Sequence, residues 1–184
     1  MSFLARPHRR GMARHAPALV LFLLLALRPA AMSAGELVNG PPVGSAAPAF
    51  SLPDINGRQV SLENYRGKVV VLNFWAFWCD TWKAEMPHLR ELMDRQDELG
   101  FRLVAVSVDG TRLGEFQRRT GGGRAPFPVL MDVGGQVRTR YGVAHVPTVV
   151  IIDRAGRVRY AAYGYPGNYV LLRELRKLAS RPGE

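Results

Sequence analysis

An almost continuous apolar run, Lys68–Trp75, consists mainly of β-branched and aromatic residues. This pattern is typical of a parallel strand covered on both faces, and it predicts the central strand of a sheet. After Cys79, apolar residues recur at helical spacing and charged residues occupy the intervening positions. The apolar positions are Trp82, Met86, Leu89, Met93 and Leu99. The pattern therefore predicts a strand that turns directly into an amphipathic helix.

Shorter elements lie on both sides of this strand–helix unit. Two apolar stretches within Phe50–Leu62 flank an Asn56–Gly57 turn signal, which predicts a β-hairpin. Further along the chain the pattern predicts a strand, a helix, two strands and a helix, at residues 101–108, 111–120, 148–153, 157–163 and 169–179. Alternating strands and helices followed by a strand pair are typical of an α/β protein whose central mixed β-sheet is covered by helices.

The first 34 residues differ from the rest of the chain. Arginines precede an apolar core at 18–27, and small residues follow it at 30–34. This order is typical of a secretory signal peptide, while Arg28 directly after the core leaves an uncleaved N-terminal anchor as the alternative. Either interpretation predicts export. We therefore expect a signal peptide or anchor at 1–34, a linker rich in Gly and Pro at 35–48, and one folded domain at 49–184.

Composition and charge narrow the class of protein. The 184 residues are 47% hydrophobic and 22% charged and include one cysteine, which fits a globular domain and excludes a disordered or disulfide-stapled chain. The formal net charge is +10, but five arginines lie in the first 34 residues, where there is no acidic side chain. The remainder has 20 basic and 15 acidic side chains and no basic block. We therefore expect no nucleic-acid partner.

Several motifs occur in an order that identifies a family. The first is the segment Asn73-Phe-Trp-Ala-Phe-Trp-Cys-Asp-Thr-Trp-Lys-Ala-Glu-Met-Pro87. The others lie at 62–68, 106–109, 127–130, 146–148 and 152–156. Together they resemble the motifs of the thioredoxin-like proteins of the TlpA/ResA type, which are exported bacterial thiol-disulfide oxidoreductases. The resemblance covers about residues 45–180 and implies a thioredoxin-like fold.

The active-site motif departs from the family pattern at one position. Where the family has Cys-x-x-Cys, this chain has Cys79-Asp-Thr-Trp82. In the family the first cysteine attacks a substrate disulfide and the second resolves the mixed disulfide, so the resemblance implies a monothiol reaction that needs an external thiol for release. A helix N-terminus favours the reactive thiolate, whereas the charge of Asp80 opposes it. An inert, half-buried cysteine kept for packing is the alternative.

The resemblance also assigns roles to residues around the cysteine. Glu85 matches a carboxylate beneath the active site that exchanges a proton with the thiol, although its spacing equally fits a solvated helix face. Pro147 matches a cis-proline that, with Val146, presents backbone to an extended substrate chain. Trp78 and Trp82 are expected to contribute an apolar substrate-binding surface.

We therefore expect an extracytoplasmic, for example periplasmic, thiol redox protein that acts on protein thiols or disulfides through one cysteine. The alternative is a non-catalytic binding module that holds a protein client in the groove around Pro147. A peroxiredoxin is disfavoured, because the Pro and the Thr or Ser that it needs before the cysteine are replaced by Leu72 and Ala76. No metal-ligand or phosphate-loop motif is recognisable, so we expect neither a metal nor a cofactor.

Overall fold

The structure is a computed structural model that describes residues 40–110, 113–119 and 127–180. All of them belong to one unit of the chain, residues 36–184. The predicted signal peptide or anchor, the first five residues of the predicted linker and the two ends of the predicted helix at 111–120 lie outside the described residues. Within the described ranges, none of the helices has the length and apolar character needed to cross a bilayer.

The first two strands form a small separate sheet. β1 (Ser51–Pro53) and β2 (Gln59–Ser61) pair antiparallel, with Leu52 opposite Val60. The connecting turn contains Gly57, whose φ of +80° suits a residue without a Cβ. The predicted N-terminal β-hairpin is therefore confirmed.

A five-stranded mixed sheet forms the centre of the domain. Its strands are β3 (Val69–Trp75), β4 (Phe101–Ser107), β5 (Val129–Met131), β6 (Thr148–Ile152) and β7 (Val158–Tyr163). They lie in the order β5-β4-β3-β6-β7. β3 pairs in parallel with β4 and antiparallel with β6. The central strand and the mixed α/β sheet predicted from the sequence are confirmed.

Helices connect and cover these strands. They are α1 (Trp82–Asp94), α2 (Gln96–Leu99), α3 (Leu113–Arg119), α4 (Gln136–Arg140) and α5 (Asn168–Ala179), with a 3-10 helix at Leu62–Tyr65. The prediction that strand β3 turns directly into α1 is wrong, because residues 76–81 form turns between the two elements. The long predicted helix is also divided at Arg95, and Gly100, with a φ of +67°, ends its second part.

Side chains of β3 alternate between two hydrophobic cores. Leu72 and Phe74 belong to the first core, which includes apolar residues of the hairpin and α4. Val71 and Trp75 belong to the second core, which includes apolar residues of α1 and α5. Because successive side chains of a strand point to opposite faces, a strand that is apolar at consecutive positions supports a core on each side of the sheet.

Two elements of the sheet layer were not predicted from the sequence, namely β5 and α4. β5 has three residues and directly follows Pro128, and α4 has five residues and follows Gly135, whose φ is +64°. Elements of this length contain too few residues for a hydrophobic period to be recognised.

The described end of the predicted linker runs beside β7. The Gly44 N–H donates to the Val158 carbonyl at 2.7 Å, and the Val158 N–H donates to the Ser45 carbonyl at 2.9 Å. Gly40 lies so close to the sheet that a Cβ at this position would stand 2.9 Å from Cβ of Ala161. The described end of the linker is therefore packed against the sheet, and backbone hydrogen bonds hold it there from Gly44 onward.

Tyr141 provides a test of the first core. Its fully buried ring packs against Phe74 with centroids 5.3 Å apart, and its hydroxyl has no hydrogen-bond partner among the described residues. We expect Tyr141→Phe to leave the free energy of unfolding unchanged or raise it by up to about 1 kcal/mol, because it removes an unsatisfied buried group. Tyr141→Ala should lower that free energy by about 3–5 kcal/mol through the cavity it creates.

Urea denaturation of the two variants measures both effects. A loss of more than about 1 kcal/mol in Tyr141→Phe would contradict the prediction, since a loss of that size indicates a hydrogen bond made by the hydroxyl.

Candidate active site

Residues 76–81 connect the carboxyl end of β3 to α1, and a residue from the neighbouring strand holds this loop. Asp109 follows β4, whose carboxyl end lies at the same edge of the sheet because β3 and β4 are parallel. Its carboxylate accepts the backbone N–H of Phe77 and the hydroxyl of Ser107, each at 2.8 Å. Asp109 therefore anchors the loop that carries Cys79.

Cys79 is half-buried and lies three residues before the first helical residue. Its Sγ lies 3.2 Å from Oγ1 of Thr81 and donates to the backbone carbonyl of Val146 at 3.5 Å. The peptide bond between Val146 and Pro147 is cis, as predicted, and both of these residues are buried. The structure thus brings the sulfur next to a backbone carbonyl that is 67 residues away in the sequence.

Glu85 lies in the first turn of α1 on its buried side, so the alternative of a solvated helix face is wrong. The residue is 6% exposed, and its Oε2 has no hydrogen-bond partner among the described residues. Burial raises the pKa of this carboxyl above its ordinary value, and a hydrogen bond with the Thr81 side chain partly offsets the rise. A carboxyl that holds its proton more tightly than usual is suited to proton exchange with a thiol.

Trp82 and Cys79 pack on different cores. The half-buried Trp82 ring has its centroid 5.5 Å from that of Trp75 and 5.8 Å from that of Phe77, within the second core. Cys79 packs against the first core. Trp78 is 61% exposed beside the cysteine. The tryptophan at the position of the second family cysteine therefore packs among aromatic rings.

His145 directly precedes the cis-proline segment. It is exposed, and its ring packs edge-on against the exposed Tyr163 with centroids 5.5 Å apart. Its backbone carbonyl accepts the hydroxyl of Thr148 at 2.6 Å. These contacts hold the segment that carries Val146 against the start of β6.

Sequence reasoning missed three residues of this site, namely Thr81, Asp109 and Tyr165. Oγ1 of Thr81 lies 3.2 Å from the cysteine sulfur. The pKa of Tyr165 is raised by burial and, to a smaller extent, by the negative charge of Glu85, which indicates that the two side chains are close. Asp109 had two signals, its position directly after a predicted strand and its place in the family motif at 106–109. The positions of Thr81 and Tyr165 follow from packing alone.

The described part of the chain holds no group of three or more His, Cys, Asp and Glu side chains arranged to bind a metal ion. A groove of about 600 Å³ lies on the outer side of α1, next to Trp82. Met86 and Pro87 contribute apolar surface to it, and Arg90 and Glu91 contribute charges.

Sequence comparison identifies relatives with known names. The model of the AhpC/TSA family matches residues 43–161. Thiol-disulfide oxidoreductase ResA of Geobacillus thermodenitrificans (strain NG80-2) is 41% identical over 119 residues, which are 64% of this chain and 67% of that protein. The ResA of Oceanobacillus iheyensis is 39% identical over 132 residues, covering 66% of this chain and 65% of that protein. The chain thus spans about two thirds of the length of these relatives.

Solved structures give the same result for the fold. The pneumococcal exposed lipoprotein thioredoxin Etrx1 of Streptococcus pneumoniae strain TIGR4 is 28% identical with a TM-score of 0.64, over 71% of this chain and 100% of that chain. A protein of Chlorobium tepidum provisionally named thiol:disulfide interchange protein DsbE is 31% identical with a TM-score of 0.67, over 75% of this chain and 98% of that chain. The chain therefore belongs to the AhpC/TSA family and is a thioredoxin-like protein of the TlpA/ResA type, related to thiol-disulfide oxidoreductases.

Proposed function

We propose that the protein performs thiol-disulfide exchange on client proteins through Cys79 alone. The Cys79 thiolate attacks one sulfur of a client disulfide, which forms a mixed disulfide and releases the other client sulfur as a thiolate that takes up a proton. An external thiolate then attacks the client sulfur of the mixed disulfide and releases Cys79. One disulfide is exchanged for another in these steps, so no additional oxidant or reductant is consumed.

The position of the Cys79 sulfur carries this proposal. Sγ is half-buried beside the carbonyl of Val146, directly before the cis peptide bond to Pro147. An extended client segment that pairs with the backbone here would bring its own sulfur toward Cys79. Since Cys79 is the only cysteine of the chain, the second thiol must come from another molecule.

The aromatic residues near the sulfur are proposed to bind the client. Trp78 is exposed beside Cys79, and Trp82 borders the groove on α1 together with Met86 and Pro87. Apolar surface next to an exposed indole suits the side chains that flank a client cysteine.

An extracytoplasmic location is part of the proposal. Its support is the order of arginines, apolar core and small residues in the first 34 positions. The Streptococcus pneumoniae relative is named an exposed lipoprotein thioredoxin, which agrees with this location. The first 34 residues would then form the exported signal or anchor ahead of the folded domain, to whose strand β7 Gly44 and Ser45 are already hydrogen-bonded.

A non-catalytic client-binding module is the second candidate, and the tryptophan at position 82 favours it. An indole at this position adds apolar surface to the groove and removes the second sulfur of the family motif. In such a module client binding persists without Cys79, whereas exchange chemistry requires its sulfur.

Labelling of Cys79 separates the two candidates. At pH 7 we expect the folded protein to react with iodoacetamide at least about threefold faster than the urea-unfolded chain, because cysteines placed at the start of a helix are ordinarily activated. The folded protein should also form a mixed disulfide with a peptide disulfide, detected by mass spectrometry, and Cys79→Ser should form none. Slower labelling in the folded state than in urea would support the inert cysteine.

Replacement of Glu85 by Gln tests the buried carboxyl. The folded pKa of Glu85 is raised by burial, so the unfolded chain loses its proton at a lower pH than the folded chain. The stability that the protonated Glu85 contributes is therefore fully present below the ordinary carboxyl pKa and is lost as the pH rises through the folded pKa. We expect Glu85→Gln to be more stable than wild type at pH 7, by a margin that shrinks toward pH 4.

Urea denaturation between pH 4 and pH 8 measures this margin. Glu98→Gln is the matched control: hydrogen bonding to Arg95 lowers the pKa of the exposed Glu98, so this variant should gain no stability as the pH rises. A Glu85→Gln margin that is independent of pH would show that the Glu85 carboxyl is not perturbed in the folded state.

Trp82→Cys tests whether only the resolving thiol is missing. We expect the variant to form a disulfide with Cys79 and to reduce a protein disulfide catalytically, because the new thiol stands at the family spacing. Loss of the half-buried indole should cost about 2 kcal/mol of stability. Turnover is measured with dithiothreitol as the external reductant, against wild type and against the variant that also carries Cys79→Ser.

Trp78→Cys provides a second control, since it adds a thiol next to Cys79 at the wrong spacing. If Trp82→Cys turns over and the controls do not, the residue at position 82 accounts for the difference in activity from the dithiol relatives. A disulfide between Cys79 and the thiol introduced by Trp82→Cys, formed without turnover, would show that the client groove has changed as well, and would favour the binding module.

A further inference from the structure

Two exposed side chains flank Cys79 on its loop, namely Trp78 and Asp80. The indole of Trp78 is 61% exposed and stacks on none of the rings in the described structure. The Asp80 carboxylate is exposed as well, and it forms no ion pair within the described ranges. An aromatic face and a negative charge beside the cysteine are therefore both available to another molecule.

The pairing of other exposed carboxylates makes Asp80 unusual. Basic side chains outnumber acidic ones by 25 to 15 in this chain. Asp97 and Glu98, for example, bind arginines at 3.0 Å and 2.6 Å. The basic residue that follows Asp80 most closely is Lys83, whose Nζ lies 5.9 Å from the centroid of the Trp82 ring. Asp80 thus has no cation as a partner among the described residues, although the chain is rich in cations.

A carboxylate and an indole face both attract cations. A guanidinium or ammonium group forms charge-assisted hydrogen bonds with a carboxylate, and it also binds over the face of a tryptophan ring. The negative charge of Asp80 opposes the formation of a thiolate on the adjacent Cys79. A cation supplied by a client would offset this charge at the moment when the client reaches the sulfur. The chemistry around Cys79 therefore favours a partner that is positively charged.

We propose that the clients of this protein carry an arginine or a lysine next to the cysteine that Cys79 attacks. The client cation pairs with Asp80 and lies against the Trp78 indole, while the client backbone lies along Val146. The reaction is the proposed exchange: the Cys79 thiolate bonds to the client sulfur, the client S–S bond breaks, and the other sulfur leaves as a thiolate. This inference rests on the proposed reactivity of Cys79 and adds the charge of the client to it.

Two basic side chains near the site act against such a client and need controls. Lys83 is exposed in the first turn of α1, and His145 is exposed on the loop before Val146. Either side chain, when it is charged, would repel a client cation. Lys83→Gln and His145→Gln should therefore leave the preference for a basic client in place or strengthen it.

The test uses three peptides, Ala-Arg-Cys-Ala, Ala-Gln-Cys-Ala and Ala-Glu-Cys-Ala, each joined through its cysteine to 2-thiopyridine in a disulfide. Attack by the Cys79 thiolate joins the peptide to the protein and releases 2-thiopyridone, whose absorbance gives the rate. Each rate is divided by the rate with 2-mercaptoethanol, a neutral thiol, to remove the reactivity of the peptide itself. At pH 7 and low salt we expect the full chain to react about fivefold faster with the Arg peptide than with the Gln peptide, and slowest with the Glu peptide. In 0.5 M NaCl this preference should fall below about twofold, because salt screens exposed charges.

Asp80→Asn should have opposite effects on two reagents. The preference for the Arg peptide should fall to within about twofold, because the cation loses its partner. Labelling of Cys79 by the neutral iodoacetamide should become about twofold faster, because the charge that opposes the thiolate is removed. Damage to the loop would change both rates without this reversal of sign. Trp78→Ala should also weaken the preference for the Arg peptide, whereas Trp78→Phe, which keeps an aromatic face, should retain part of it.

Asp97→Asn is the matched control. It removes the same charge at the other end of the sheet, where Asp97 binds Arg102 opposite Val70, and it should change neither rate. Equal rates with the three peptides, or a preference for Arg that persists in Asp80→Asn, would overturn the basic client while the reactivity of Cys79 stands. Loss of the preference in Asp97→Asn as well would overturn it too, since net charge alone would then account for it. A wild type that reacts with none of the peptides would overturn the proposed function, and the client charge with it.

Discussion

The antiparallel pairing of β3 with β6 is the constraint on which the candidate site depends. Phe74 lies opposite Thr148, so the end of β3 and the beginning of β6 meet at one edge of the sheet. The chain beyond Phe74 leads to Cys79, and the chain before Thr148 contains Val146 and Pro147. A sulfur and a carbonyl from distant parts of the sequence therefore come within 3.5 Å because two strands share a register. The parallel partner β4 adds the carboxylate that anchors the intervening loop.

The alternation of side chains along β3 divides the site between two environments. Phe74 points into the first core, which Cys79 joins, and Trp75 points into the second core, which Phe77 and Trp82 join. The rings of Trp75, Phe77 and Trp82 lie 5.0 to 5.8 Å apart, in tilted and edge-on arrangements that stabilise aromatic clusters. Packing therefore holds the Trp82 indole in the second core, whereas the Cys79 sulfur contacts the first core on the other side of the sheet.

The sequence predicted the backbone arrangement of this site better than it predicted the side-chain contacts within it. The apolar run of β3 and the family motif were enough to bring Cys79 and Pro147 together. Glu85 was ambiguous because a charged residue at a helical position is usually exposed. The turn at 76–81 decides whether the Thr81 hydroxyl caps the helix or turns to the sulfur. The hydrogen bond between Asp109 and this loop depends on the register of β3 and β4. Periodicity predicts which face of an element is buried, but it carries no information on bonds between elements or within a turn.

A protein with one thiol depends on the protonation of that thiol at both stages of an exchange reaction. In the proposed exchange, Cys79 would attack as the thiolate and would leave the mixed disulfide as the thiolate again. A buried carboxyl that exchanged a proton with this thiol would assist both stages, and this is the role that the family resemblance implies for Glu85. The burial of Glu85 costs folding stability when the carboxyl is ionised, so the desolvation that raises its pKa, and would suit it to that role, also makes the ionised residue unfavourable for the fold.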